Sequence, residues 1–208
     1  MGNKCNLYPD DVVEFKEPIL QEGNVLVFAD GSVYRGDIKD FMPHGRGTLT
    51  RKDGSTHEGD WYMGRPEGQG TAHYANGDVY QGFFHEGRRE GQGKYTTKDF
   101  VYAGEWRRGL MHGEGKIDFV DGRRYEGAFE EGKFNGQGVL TYKSGKSYVG
   151  SFIRGKRHGR GKIAFTDGSV YEGDWNNGEK IQNATYTNKN GNSVIGKWQN
   201  GSFVPKYE

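Results

Sequence analysis

The sequence predicts an all-β fold: an elongated, twisted, single-layer antiparallel β-sheet built from consecutive β-hairpins. The first observation behind this prediction is composition. Glycine accounts for 36 of 208 residues, and 13 Tyr, 12 Phe and 4 Trp accompany a hydrophobic fraction of only 32%. A chain with many rings and few aliphatic side chains cannot fill a thick two-layer core. Glycine lacks the Cβ atom that would collide with a ring, so rings packed over glycines suit a thin sheet.

The second observation is a repeat that begins with Tyr-x-Gly or a close variant. Its starts, 22 or 23 residues apart, are Tyr34, His57, Tyr80, Tyr102, Tyr125, Tyr148, Tyr171 and Val194. Four residues after each start stands a large side chain: Ile38, Trp61, Phe84, Trp106, Phe129, Phe152, Trp175 and Trp198. Because side chains alternate along a strand, the start residue, the glycine and the large residue share one face.

Most repeats also carry two kinds of glycine-containing turn, although the first has Asp40-Phe41 without the turn glycine and the fourth has Lys98-Asp99-Phe100 in place of Asp-Gly. A turn such as Met63-Gly64 leads into a second strand with two glycines, and the repeat usually ends in Asp-Gly or Asn-Gly, as at Asp53-Gly54. The last two dipeptides favour type I′ hairpin turns, in which both central residues have positive φ, and we expect that turn type there. Consecutive repeats then continue one antiparallel meander, and residues 24–30 supply its first strand.

The repeats resemble the MORN family. The segments Tyr-Glu-Gly-Asp-Trp-Asn-Asn-Gly from Tyr171 and Tyr-Glu-Gly-Ala-Phe-Glu-Glu-Gly from Tyr125 are similar to its motif, and the resemblance covers about residues 24–204. It implies an all-β, rod-like array of the kind found alone in scaffold proteins or fused to catalytic domains. We expect a tail or linker at residues 1–23 and an array of about eight repeats at residues 24–208.

The amino terminus, Met1-Gly2-Asn3-Lys4-Cys5-Asn6, resembles an N-myristoylation signal. One myristoyl chain binds membranes weakly, and a palmitoyl chain on Cys5 would make the anchor stable. Asn6 departs from the preferred Ser or Thr, and the alternative is an unmodified start. The longest apolar run, Val25 to Ala29, falls far short of the ~20 residues that cross a bilayer. We therefore predict lipidation at Gly2 and Cys5 and a location at the cytoplasmic face of a membrane or on the membrane-associated cytoskeleton.

The aromatic rings predict a partner-binding surface, because a groove of rings and glycines suits an amphipathic helix of a protein partner. The proposed groove residues are Tyr80, Phe84, Tyr102, Trp106, Tyr125, Phe129, Tyr148, Phe152, Tyr171 and Trp175. The alternative is that these rings form the core of the hairpins.

A second predicted surface is a stretch without acidic residues, suited to anionic lipid headgroups or an acidic partner. Its basic residues are Lys143, Lys146, Arg154, Lys156, Arg157, Arg160 and Lys162. The alternative is a set of solvated turn residues. A third hypothesis is a homo-oligomer that forms through unpaired end strands.

Other functional classes are not expected. His44, His112 and His158 occupy equivalent positions in separate repeats and cannot converge on one metal ion. The pattern offers no nucleophile–base pair and no cofactor motif, and a net charge of +1 argues against a nucleic-acid partner. The sequence therefore predicts a non-enzymatic scaffold or adaptor without metal or cofactor.

Overall fold

The computed structural model describes residues 17–199 and 202–206, and these residues form eighteen β-strands and no helix. In chain order the strands are β1 (Pro18–Glu22), β2 (Val25–Phe28), β3 (Val33–Lys39), β4 (Met42–Thr50), β5 (Thr56–Tyr62), β6 (Arg65–His73), β7 (Val79–His85), β8 (Arg88–Thr96), β9 (Phe100–Arg107), β10 (Leu110–Phe119), β11 (Arg124–Glu130), β12 (Lys133–Thr141), β13 (Ser147–Ile153), β14 (Lys156–Ala164), β15 (Val170–Asn176), β16 (Glu179–Thr187), β17 (Ser193–Gln199) and β18 (Ser202–Pro205). Each pairs antiparallel with the next in one open sheet, which confirms the predicted all-β meander. Two compact units divide the chain, Met1–Met111 (unit one) and His112–Glu208 (unit two).

Glycines lie opposite one another on neighbouring strands and form a row across each unit. In unit one, Gly36 pairs with Gly47 and Gly47 with Gly59. In unit two, Gly127 pairs with Gly138 and Gly138 with Gly150. The register therefore repeats in every hairpin.

The repeat tyrosines lie over this glycine row, as the sequence predicted. A Cβ atom added at Gly47 would collide with the ring of Tyr34. The Tyr34 hydroxyl crosses the row and donates a hydrogen bond to the carbonyl of Asp37 at 3.0 Å. In unit two the Tyr125 hydroxyl donates in the same way to the carbonyl of Ala128 at 2.9 Å. Burying a large apolar side chain contributes about 1.5–3 kcal/mol, so these rings dominate the stability of the thin sheet.

The large residues that follow the tyrosines complete the core by edge-to-face ring packing. The Tyr80 ring lies 5.0 Å from Phe84 in its own repeat and 5.2 Å from Trp106 in the next. In unit two, Tyr125 lies 5.2 Å from both Phe129 and Phe152. Tyr80 and Tyr125 thus each join two repeats.

The Asp-Gly and Asn-Gly turns do not have the type I′ geometry predicted for them. Asp53-Gly54 is not a type I′ turn: only Gly54 has positive φ, at 85°, and its N–H donates to the Arg51 carbonyl at 3.0 Å. This geometry is a type I turn closed by a glycine bulge, and Asp53 Oδ1 accepts the Ser55 N–H at 2.9 Å. Positive φ at both residues, as in type I′ turns, occurs instead at Met63-Gly64, Glu86-Gly87, Arg108-Gly109, Glu131-Gly132, Arg154-Gly155 and Asn177-Gly178.

The first turn of this second class, between β3 and β4, lacks glycine. Asp40 and Phe41 have φ of 50° and 58°, and Phe41 stands where the other six turns place glycine. The left-handed region costs an L-residue about 1–2 kcal/mol, and Asp tolerates it better than Phe. Phe41 is nevertheless 66% exposed.

The amino-terminal boundary also differs from the prediction. β2 is the expected first strand of the array, but β1 lies within the segment expected to be a linker. Pro18, which lacks an N–H, is tolerated as the first residue of β1, and Glu22 pairs with Val25 across a short turn. The array therefore begins before residue 23.

His57 is the one repeat-start residue in unit one that is not tyrosine. It is 3% exposed, and its ring packs edge-to-face on Trp61 at 5.0 Å and Phe84 at 4.5 Å. Its Nε2 atom is buried without a hydrogen-bond partner. Burial, followed by the charge of Arg51, lowers the pKa of His57 to about 4, so the ring is neutral at pH 7.

We expect His57 to make the fold less stable in mild acid. The pKa of His57 is about 4 in the folded chain and ordinarily 6.5, so the unfolded chain binds a proton first and stability falls as pH drops through this window. The expected loss of unfolding free energy is about 2 kcal/mol between pH ~7 and pH ~5. Urea denaturation at both pH values measures it.

His57→Tyr should abolish most of this loss and raise stability at pH ~7, because a tyrosine hydroxyl can reach the carbonyl of Asp60 as Tyr34 reaches that of Asp37. The exposed His73→Gln is the matched control and should behave as the unsubstituted chain. An equal acid-induced loss in the His57→Tyr variant would contradict this interpretation.

Candidate functional site

The ten aromatic side chains predicted to line a partner groove are buried. Their exposed fractions are 0% for Tyr80, Tyr102, Tyr125 and Tyr148, 1% for Tyr171, 2% for Phe84, Phe152 and Trp175, 3% for Phe129 and 4% for Trp106. The edge-to-face contacts cover the ring surfaces. These residues therefore form the core of the sheet and do not line a groove. The prediction that they bind a partner is therefore wrong, and the alternative that they form the core of the hairpins is correct.

One further position per repeat fills the gaps between the rings, and sequence reasoning missed it because its residue type varies. Its members are Pro43, Pro66, Arg89, Met111, Phe134, Arg157 and Lys180. In unit one the Arg89 guanidinium lies 4.3 Å from the Trp106 ring centre and donates to the carbonyl of Gly109 at 3.0 Å. Because Pro, Met and a stacked Arg all fill this space, a search of the sequence for one residue type at a fixed spacing does not find the position.

In unit two the same position carries two cations over rings. Arg157 lies 4.0 Å from the Trp175 ring centre, and Lys180 Nζ lies 3.6 Å from Trp198 and 3.9 Å from Tyr171. Burial, followed by the charges of Arg157 and Lys146, lowers the pKa of Lys180 to about 8. Cation–π contacts of this kind stabilise the packing of successive repeats.

His44, His112 and His158 share their repeat position with Glu67 and Glu90, whose side chains contact the turn of the next repeat. Glu67 Oε2 accepts the Glu86 N–H at 2.9 Å, and Glu90 Oε2 accepts the Arg108 N–H at 2.8 Å. At the equivalent position the His44 ring lies 5.3 Å from Tyr62. Among the described residues, no three His, Cys, Asp or Glu side chains are grouped closely enough to hold a metal ion.

The open surface lies on the other face of the glycine row. In unit one a groove of about 1060 Å³ crosses β3 to β8. Its floor is the bare backbone of Gly36, Gly47, Gly59, Gly70, Gly82 and Gly93. Six strands spaced about 4.8 Å apart give this floor a length of about 24 Å.

The walls of the groove, on either side of the glycine floor, are polar. Gln69 and Gln92 stand between the paired glycines of their strands, so alternation points their side chains away from the ring face, and both are exposed. Arg46 Nε bonds Asp60 Oδ1 at 3.2 Å beside them. The other polar wall residues are Arg35, Thr48, Glu58, Thr71, His73 and Gln81. Glycine in the floor lets another backbone approach closely, and amide side chains can donate and accept hydrogen bonds.

The basic stretch of unit two is not gathered into one patch. Lys143 and Lys146 lie in the turn before β13, whereas Arg154 and Lys156 flank the turn after it, about 25 Å away along the strand. Three of the seven basic side chains contact other residues of the chain. Lys146 lies over Tyr142 at 4.7 Å, Arg157 stacks on Trp175, and Arg160 Nη2 pairs with Glu172 at 3.0 Å. Lys162 lies opposite Val149 and Glu172 on neighbouring strands.

The two remaining predictions concern acylation of the amino terminus and the unpaired strands at the ends of the sheet. Gly2 and Cys5 lie outside the described residues, so acylation stays a prediction. Within the described segments no helix is long and apolar enough to cross a membrane. At the ends of the sheet, β1 pairs with β2 and β18 with β17, and no described strand covers their outer edges.

Two solved structures are similar to the chain at low sequence identity. The TCP domain of Drosophila melanogaster SAS-4 (dCPAP), solved in complex with a proline-rich motif of Ana2 (dSTIL), is 12% identical with a TM-score of 0.49, and the match covers 91% of this chain and 100% of that chain. The wild-type TCP10 domain of Danio rerio CPAP is 13% identical with a TM-score of 0.28, covering 86% of this chain and 96% of that one. No curated protein matches the sequence.

The family model of the MORN repeat matches seven segments of the chain. They are residues 34–56, 57–79, 80–99, 102–123, 125–147, 148–170 and 171–180, and together they cover more than half of it. The seven matches begin at seven of the eight repeat starts predicted from the Tyr-x-Gly triplets. The chain belongs to the MORN repeat family.

Proposed function

We propose that this chain is a non-enzymatic scaffold that binds a protein partner in the polar groove of unit one, while its acylated amino terminus holds it at the cytoplasmic face of a membrane or on the membrane-associated cytoskeleton. The observation that carries the proposal is the groove itself. It crosses six strands over a floor of glycine backbone, and its walls present hydrogen-bonding side chains, several of them exposed.

The occupant of this groove is a segment held mainly by hydrogen bonds. Gln69 and Gln92 occupy equivalent positions in successive repeats, about 9.6 Å apart, and Gln81 on the strand between them adds a third amide. An amphipathic helix cannot dock its apolar face on the aromatic rings, because those rings are buried. The polar walls of the groove would leave that face without apolar contacts. A segment with free backbone or side-chain polar groups fits instead.

A negative charge introduced at the groove amides should weaken partner capture. We expect the Gln69→Glu, Gln92→Glu double variant to lose at least about tenfold in capture of its partner from the native cell, since each lost hydrogen bond removes about 1 kcal/mol and a misplaced charge repels acceptors. Both side chains are exposed, so the fold should be unaffected. Affinity capture followed by quantitative mass spectrometry measures the effect.

The matched control is Gln137→Glu in unit two, which alters the same repeat position outside the groove. Its capture should equal that of the unsubstituted chain. Undiminished capture by the groove variant, with circular dichroism showing the same fold, would remove the support for this function.

The tether is tested separately. In the cell that expresses the chain, a Gly2→Ala, Cys5→Ser variant should move from the membrane fraction to the supernatant, because it removes both predicted acyl sites. Cell fractionation with metabolic labelling by alkyne fatty acids measures attachment and acylation together. Complete retention on membranes, or no label on the unsubstituted chain, would rule out the acyl anchor.

A further inference from the structure

The lysine near the start of β16 lies in a notch between aromatic rings of unit two. Lys180 Nζ is 3.6 Å from the Trp198 ring centre and 3.9 Å from that of Tyr171, and the Trp175 ring centre is 5.9 Å away. The residue is half-buried, so the notch is not closed. The amine is therefore held among apolar surfaces that a small reagent can still approach.

The carboxylates on the neighbouring stretches of chain lie on the opposite face of the sheet. Side chains alternate between the two faces along a strand, and Glu179, which directly precedes Lys180, points away from the rings. On β15, Glu172 and Asp174 also lie on that opposite face, where Arg160 Nη2 pairs with Glu172 at 3.0 Å. Among the described residues, the Lys180 ammonium group thus contacts ring faces and no carboxylate.

Two further cations act on Lys180 from the ring face. Arg157 projects from β14 and Lys146 from the turn before β13, whereas Lys197 on β17 lies on the opposite face. Burial, followed by the charges of Arg157 and Lys146, lowers the pKa of Lys180 from its ordinary value of 10.5 to about 8. The ring faces attract an ammonium ion and oppose this shift, but at a partly exposed site that attraction is weaker than desolvation beside two like charges.

These surroundings make the amine a nucleophile. A lysine is activated when it is desolvated among apolar groups or lies beside another cation, and Lys180 meets both conditions. At pH ~7.5 about one quarter of such a group is neutral, compared with about 0.1% of an ordinary lysine. A less basic group is also intrinsically less nucleophilic, as it is among thiols, so the net gain in reactivity is about tenfold.

We propose that Lys180 is an acylation site, whose neutral amine takes an acyl group from an activated acyl donor of the thioester class. The amine nitrogen attacks the thioester carbonyl, and a C–N bond forms as the C–S bond breaks. The thiolate leaves, and the proton of the amine passes to water. The product is an uncharged amide on the Lys180 side chain.

The product suits the notch because it removes a charge that lies beside two other cations. Acylated Lys180 no longer presents an ammonium group to Trp198 and Tyr171. The modification therefore changes the contact between the seventh and eighth repeats. It goes beyond the proposed function, since it involves neither the polar groove of unit one nor the acyl chains predicted at the amino terminus.

The rate of acylation at each lysine of the full, folded chain tests the proposal. The probe is acetyl coenzyme A in excess, without enzyme, and peptide mass spectrometry gives the rate at each position. At pH ~7.5 Lys180 should react about tenfold faster than Lys189, an exposed lysine in the turn after β16. Its rate should level off above pH ~8, whereas the rate at Lys189 should keep rising to about pH 10.

Lys146→Gln tests the contribution of the neighbouring cations. Removing one of the two like charges should move the inflection of the Lys180 pH–rate profile upward by about 0.5 pH units. Lys143→Gln, in the same turn, is the matched control and should leave the profile unchanged, because the charge of Lys143 does not act on Lys180. Urea denaturation checks that both variants keep the fold.

A rate at Lys180 no higher than that at Lys189 at pH ~7.5 would overturn the proposal, and so would a Lys180 profile that levels off at the same pH as that of Lys189. An unmoved profile in the folded Lys146→Gln variant would also overturn it, since the cations would then not activate the amine. Partner capture and cell fractionation measure the proposed function, so its failure is distinct from failure here.

Discussion

A tyrosine ring laid across a pair of glycines is the contact on which the rest of this structure depends. The ring of Tyr125 covers Gly127 and Gly138 and its hydroxyl bonds the carbonyl of Ala128, so the side chain ties its own strand to the next. Phe152 in the next repeat then packs against both Tyr125 and Tyr148 and joins the repeats. Because one face is filled in this way, the other face of the glycine row is left as bare backbone, and the open groove of unit one follows from the packing of its core.

Much of the fold could be predicted because the same pattern of residues recurs in every repeat. The Tyr-x-Gly triplets located the starts, and alternation along the strands correctly put start residue, glycine and large residue on one face. What the pattern could not decide was whether the rings face a partner or each other. That depends on the side chains between the rings, and Pro66, Arg89 and Phe134 fill equivalent spaces with different chemistry. The predicted groove lining was therefore wrong, although the residues were correctly grouped.

The remaining differences have local physical causes. Asp53-Gly54 was expected to form a type I′ turn from its dipeptide alone, but the bond from Gly54 N–H to the Arg51 carbonyl makes a three-residue loop. The basic stretch of unit two is contiguous in sequence, yet β13 separates its two turns, and Arg157 and Arg160 are engaged internally. The sequence shows that the turn at Asp40-Phe41 lacks the usual glycine, but only the φ of Phe41 shows that this position is left-handed.

The most direct test of the tyrosine–glycine contact is the free energy of unfolding of a Gly138→Ala variant, measured by urea denaturation. Gly138 lies outside the left-handed region, and replacing glycine by alanine within a strand ordinarily stabilises by about 0.5–1 kcal/mol. Here the new Cβ atom would lie 2.6 Å from Cε2 and Cζ of Tyr125, so the account predicts a loss of about 1–3 kcal/mol. An unchanged or increased free energy of unfolding would contradict it.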